Sequence, residues 1–203
     1  MKHAYVLDLL ERRLAPRRAT VCVIGDGLAN FVAPALELSE TFTRVVSVNL
    51  PEILLADLQL LEDGGLDVES IRLVTDEKEI LSVAADSRAR LVLVPARAAE
   101  IVREIPVDGF VNISSMQEMT SEVIAEYFTT IRASGGWFYC CNKVSKRLPD
   151  GTIIRFGEFP WGSPHWIVGP EQCPWYRRAP SSRPPFVSRF SPTTHALVSY
   201  AAG

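Results

Sequence analysis

Val21-Cys-Val-Ile-Gly-Asp-Gly-Leu-Ala-Asn30 is an apolar run that ends in a glycine turn. A second apolar run, Arg44 to Val48, ends in a polar segment, Asn49-Leu50-Pro51-Glu52, 22 residues after Gly27. Strand, glycine turn, helix and second strand ending in a polar residue make the first β-α-β unit of a nucleotide-binding sheet. The glycines let backbone approach a ligand, and the helix start beyond them favours negative charge. A polar residue closing the second strand hydrogen-bonds a ribose, so the expected ligand is an adenosine-containing cofactor.

The surrounding pattern extends that unit. Val6, Leu7, Leu10 and Leu14 have helical spacing, and Pro16 stops that helix. Strands are expected at 20–24, 44–49, 91–94, 110–113 and 137–141. Helices are expected at about 31–38, with Asn30 as N-cap, from Pro51 to Gly64-Gly65, and from Thr120 to Gly135-Gly136. The last should turn Val123, Ile124, Tyr127, Phe128 and Ile131 inward. Residues 66–88 offer only a short strand near Ile71–Val74 and a short helix near Lys78–Ala84. Alternating strands and helices specify an α/β fold: a Rossmann-like, doubly wound, mostly parallel sheet with helices on both faces.

One domain of 203 residues is expected, with an N-terminal helix in 1–19, a cofactor-binding core in 20–146 and a proline- and tryptophan-rich part in 147–203. Eight of 14 prolines and three of four tryptophans fall between Pro160 and Pro192, which reads as a long ordered loop. His195 to Tyr200 reads as a final strand, an antiparallel addition to the sheet. The net charge of −3 argues against a protein built to hold nucleic acid. No apolar run reaches the ~20 residues of a membrane span. The four cysteines have no zinc spacing, so no metal is expected. Free thiols and a charged N-terminus without a signal peptide point to the cytoplasm.

Three cofactors compete for the turn. A dinucleotide site wants a third glycine where Asn30 stands, and a P-loop wants a lysine that is absent. An S-adenosylmethionine site carries no pyrophosphate and needs only the two glycines and a ribose partner. Gly25, Asp26 and Gly27 then hold the amino-acid end, with Asp26 on its amino group or on a nearby backbone amide. Asn49 and Leu50 take the ribose side, and Pro95, Ala96 and Arg97 border the adenine.

Several segments carry a resemblance to a known family. They are Asn112-Ile-Ser-Ser-Met-Gln-Glu-Met119, Phe138-Tyr-Cys-Cys-Asn-Lys143, Leu148-Pro-Asp-Gly-Thr-Ile-Ile-Arg-Phe156, Phe159-Pro-Trp161, Glu171-Gln-Cys-Pro-Trp175 and Pro184-Pro-Phe186. Over about Thr20 to Tyr200 the chain resembles the sugar O-methyltransferases of bacteria. That resemblance implies a class I methyltransferase fold, S-adenosylmethionine as donor and the methylation of surface-polysaccharide sugars. Two departures stand out. Asn49 replaces the Asp or Glu of many such enzymes, and the region before the first strand is short, which leaves the acceptor pocket open or completed by another subunit of a homo-oligomer.

Methyl transfer to a sugar hydroxyl needs alignment and a base. Glu118, just past the fourth strong strand, is the candidate base, and Gln117 the candidate for orienting the acceptor. Asn142 and Lys143, at the end of the next strand, are candidates for facing substrate. Trp161 offers a stacking platform for a sugar ring, with His165 nearby in the same segment. Arg177, Arg178, Arg183 and Arg189 form either a solvated face or an anion contact. The rival readings are a catalytically degenerate binding or assembly module and a nicotinamide-dependent oxidoreductase.

Overall fold

The computed structural model describes residues 2–15, 18–74, 76–176, 178–180, 187–189 and 192–201. Their strands are β1 (Ala19–Ile24), β2 (Phe42–Asn49), β3 (Ile71–Leu73), β4 (Leu91–Pro95), β5 (Gly109–Ile113), β6 (Trp137–Lys143), β7 (Ser145–Arg147), β8 (Ile153–Arg155), β9 (His165–Gln172), β10 (Arg178–Pro180), β11 (Val187–Arg189) and β12 (Thr193–Ser199). The α-helices are α1 (Lys2–Leu14), α2 (Val32–Glu37), α3 (Pro51–Asp63), α4 (Glu77–Ala85) and α5 (Ser121–Ser134).

The main sheet has the order β3-β4-β2-β1-β5-β6-β12-β9. β3 through β6 pair in parallel, and β12 runs antiparallel to both β6 and β9. This is the expected α/β sheet with its antiparallel addition. The central strands are buried on both faces and read as continuous apolar runs, as parallel strands must. One face packs on α4, α5 and the 3₁₀ stretch Ala96–Glu104; the other packs on α1, α2 and α3. Cys140 and Cys141 fall on opposite faces, as alternation along a strand requires.

Three local expectations are corrected. Asn30 does not cap α2: its side-chain amide turns back to the Gly27 carbonyl, and Phe31 stands at the cap position. Val123 does not point inward but is 37% exposed, while Ile124, Tyr127, Phe128 and Ile131 are buried as expected. Residues 160–192 are not one long loop, because β9 lies within them. Its Gly169-Pro170 breaks the strand pattern in the sequence, and an edge strand tolerates that proline. Gly135, with φ of 66°, ends α5 in the left-handed conformation. No described helix is long and apolar enough to cross a membrane.

Candidate active site at the carboxyl edge

Ligands of open α/β sheets sit outside the carboxyl ends of the strands. Here that edge carries the turn after β1, Asn49 at the end of β2, the Ala96 turn after β4, Ser114 to Met119 after β5 and Lys143 at the end of β6.

The turn after β1 is unusual in its backbone. Gly25 and Gly27 have φ of 66° and 56°, and Leu28 and Ala29 follow at 57° and 49°. Left-handed side-chain-bearing residues cost about 1–2 kcal/mol each and need support. Two buried carboxylates give it. Asp26, 7% exposed, accepts from Phe31 N through both oxygens at 2.8 Å and from Val32 N at 2.9 Å. Asp57, 1% exposed, accepts from Ala29 N at 2.8 Å. Of the two contacts expected for Asp26, the structure contains the one to backbone amides. Burial pushes its carboxyl up to about 7, against the lowering effect of its two amide donors. Burial likewise raises Asp57.

The two glycines differ. A Cβ on Gly25 would collide with Ser115, whose hydroxyl donates to the Ile24 carbonyl at 2.9 Å. A Cβ on Gly27 would meet no atom within 4 Å. Asn49, 8% exposed, accepts from Leu50 N at 3.0 Å through Oδ1 and reaches Asp57 with Nδ2 at 3.5 Å. Leu50 and Ala96 line a groove of about 600 Å³ together with Arg97, Met119, Val123 and Tyr127. Met119 also lies 3.9 Å from the Cβ position of Gly25, so one side chain borders turn and groove. Pro95 lines a separate apolar groove between α3 and β3.

The segment after β5 is fixed by amides. Gln117, 6% exposed, accepts from Lys143 N at 2.7 Å, and its own N–H donates to Asn142 Oδ1 at 3.1 Å. Asn142 Nδ2 donates to Asn112 Oδ1 at 2.7 Å. Asn142 is thus wholly buried with its amide engaged by protein, and does not face a substrate. Gln117 is similarly turned inward. What these residues do is hold the loop that presents Glu118. That carboxylate is exposed, pairs with Lys146 Nζ at 3.0 Å and accepts from Gln117 Nε2 at 3.3 Å. Lys143 is half-buried at the edge beside it.

Trp161 and His165 lie elsewhere. Trp161 packs on Phe128, Phe138, Phe156, Phe159 and Trp166, and its indole N–H donates to the Phe156 carbonyl at 3.3 Å. His165 pairs with Ser199, which pairs with Trp137 at the start of β6. The length of β6 therefore separates His165 from the carboxyl edge, about 20 Å at strand rise. Trp161 and Trp175 pack half-buried against the two cores because β9 and β12 carry this segment back along the sheet, while Trp166 is exposed. Arg177 and Arg183 lie outside the described residues.

The sequence reading missed four contributors. Asp57 is an acid on the apolar stripe of α3 between Leu54 and Leu61, and that misplacement was its signal. Ser114, at φ 64°, and Ser115 follow β5 directly. Tyr176 shares a hydrogen bond with Ser114 and sits under the Lys2 ammonium, 4.4 Å from its ring centre. Burial pushes the Tyr176 phenol up to about 12. α1 and the turn after β9 therefore close one side of the edge, helped by Tyr5 on Trp175 at 6.0 Å.

Several solved structures of similar fold are methyltransferases. The chain matches the methyltransferase domain of a bacterial Hen1 at 14% identity and TM-score 0.59, covering 98% of this chain and 97% of that one. It matches an O-methyltransferase family 2 protein from Planctomyces limnophilus, solved with apigenin, at 12% identity and TM-score 0.52. It also matches MtNAS, solved with MTA and tNA, at 11% identity and TM-score 0.58. The last two are spanned only in part, over 62% and 60% of their lengths. No protein-family model matches the chain, and no curated protein matches its sequence. The chain has the methyltransferase form of the Rossmann-like fold.

Proposed function

We propose that the chain is an S-adenosylmethionine-dependent O-methyltransferase acting on a sugar hydroxyl. The carrying observation is Asp26. Its carboxylate already takes the first N–H groups of α2, the position at which a dinucleotide's pyrophosphate binds. A second carboxylate, Asp57, holds the same turn. With those N–H groups already taken, the turn offers a phosphate no free donors there, and its carboxyl oxygens are acceptors that suit a cationic ligand. S-adenosylmethionine is cationic at sulfur and at its amino group, and it supplies an electrophilic methyl. Open space over Gly27 and the groove past Leu50 and Ala96 fit its two ends. The groove lies within the 300–1,000 Å³ of small-molecule sites.

The chain's own residues divide the work. Gly25, Asp26 and Gly27 receive the amino-acid end, Asn49 and Leu50 the ribose, and Ala96 borders the adenine from the groove, with Pro95 beside it in the chain. Glu118 would take the proton from an acceptor hydroxyl held at this edge; S-adenosylmethionine, when bound, would supply the electrophilic methyl, with its thioether as leaving group. Gln117 and Asn142 hold Glu118 in place, and Lys143 lies at the acceptor's side. Fixed alignment supplies most of the acceleration. The sugar acceptor is favoured by the resemblance, whose two most specific segments, Ser115–Met119 and Cys141–Lys143, meet through Gln117.

Calorimetric titration with S-adenosylmethionine and S-adenosylhomocysteine tests the cofactor, with micromolar binding expected. Absence of binding at millimolar ligand removes the enzyme reading. Radiolabelled methyl transfer to a panel of glycosides and nucleotide sugars tests the acceptor; binding without transfer to any of them favours the binding-module alternative.

A further inference from the structure

We propose that Asp57 is a positioning residue that supplies, from one residue behind, the negative charge that Asn49 lacks. The inference rests on the S-adenosylmethionine reading above and concerns how this chain recognises the ribose. Asp57 sits mid-way along α3 with its carboxylate directed at the carboxyl edge, among Leu54, Leu61 and the turn. It is 1% exposed, and a buried carboxylate needs partners. It has them on two separate elements: Ala29 N of the glycine turn at 2.8 Å, and Asn49 Nδ2 at the end of β2 at 3.5 Å.

The second contact orients an amide. With Nδ2 turned to Asp57 and Oδ1 taking Leu50 N, Asn49 presents a carbonyl oxygen at the ribose side. An amide whose N–H groups face a carboxylate is polarised, and its oxygen becomes a stronger acceptor. A directly placed Asp gives a charge-assisted bond to a ribose hydroxyl. The Asn49–Asp57 pair gives the same bond through a relay. The same carboxylate, with Asp26, holds the turn that receives the amino-acid end, so one side chain touches both halves of the cofactor site.

The experiment measures S-adenosylhomocysteine and its 2′-deoxy and 3′-deoxy forms by calorimetry against wild type, Asp57→Asn, Asn49→Asp and the double variant. Asn at 57 still accepts from Ala29 N, so thermal unfolding of Asp57→Asn should stay close to wild type. Its affinity for S-adenosylhomocysteine should fall about tenfold, the size of one charge-assisted bond. Its penalty for losing a ribose hydroxyl should shrink to about twofold by the same reasoning. The double variant, which returns the charge to position 49, should recover affinity and discrimination. That rescue also separates relay from packing, since a purely structural Asp57 would not be restored by a charge at 49. Unchanged affinity and unchanged discrimination in Asp57→Asn, or no recovery in the double variant, overturns the relay alone. Failure of wild type to bind S-adenosylhomocysteine overturns the cofactor reading and the relay with it.

Discussion

Ser115 occupies the space into which a side chain on Gly25 would project. Its hydroxyl is tied to the Ile24 carbonyl and to Asn112, so it has nowhere to go. Gly25 is therefore a packing glycine, whereas Gly27 faces open space. Two glycines two residues apart in one turn serve different ends, the first joining β1 to β5 and the second leaving room above the edge.

The difference predicts opposite phenotypes. Gly25→Ala should lower the melting temperature sharply, because both the positive φ and the clash with Ser115 oppose it, at several kcal/mol in all. Gly27→Ala should cost about 1 kcal/mol of stability from φ alone. A larger side chain, Gly27→Leu, should add at least a tenfold loss of S-adenosylhomocysteine affinity on the scale of one lost contact. Melting curves and calorimetry on the three variants check this, and equal stability losses at 25 and 27 would refute the division of roles.

Asp26 makes stability pH-dependent. Its folded carboxyl titrates at about 7, above its ordinary value of 3.8. Below the ordinary value both states are protonated, and the group contributes nothing. Between that value and about 7 the unfolded chain ionises while the folded one keeps its proton, so stability falls as pH rises. The full cost is present above about 7, on the order of a few kcal/mol for a shift of this size. Asp26→Asn should flatten the decline in denaturation free energy across this window. Parallel wild-type and variant profiles would show that Asp26 titrates low.

Trp161 and His165 should be irrelevant to ligand binding. Trp161→Ala removes an indole in contact with five aromatic side chains and should cost roughly 2–4 kcal/mol of stability. His165→Ala, at an exposed strand start, should stay within about 0.5 kcal/mol. Neither should change S-adenosylhomocysteine affinity or the acceptor KM. A rise in KM with either variant would return a sugar platform to the amino edge.

What the sequence revealed follows a physical line. The central parallel strands were legible because burial on both faces leaves unbroken apolar runs such as Leu91–Val94. The turn was legible because only glycine fits φ of 66° against Ser115. β9 was hidden because an exposed edge strand has no apolar alternation to betray it. Side-chain direction was hidden as well. Gln117 and Asn142 are polar residues at the right edge, but whether an amide faces solvent or another amide is decided by Asn112 across the strands. Asp57 needed the third dimension, since its partners lie 28 and 8 residues away in the chain.

Glu118 is exposed at the carboxyl edge on a loop whose backbone its neighbours fix. Gln117, directly before it, is bonded to Asn142 and to Lys143 N, which removes freedom from the loop. The Lys146 ammonium, 3.0 Å away, holds the carboxylate at one side of the loop. Glu118→Gln keeps size and loses the base, so kcat should fall about a hundredfold, the lower end for general-base removal. S-adenosylhomocysteine affinity should hold within about twofold, and stability within about 0.5 kcal/mol, because the side chain is exposed. Added formate should restore part of the rate to Glu118→Ala by entering the space left and accepting the proton. Full activity in Glu118→Gln would show that another group at this edge activates the acceptor.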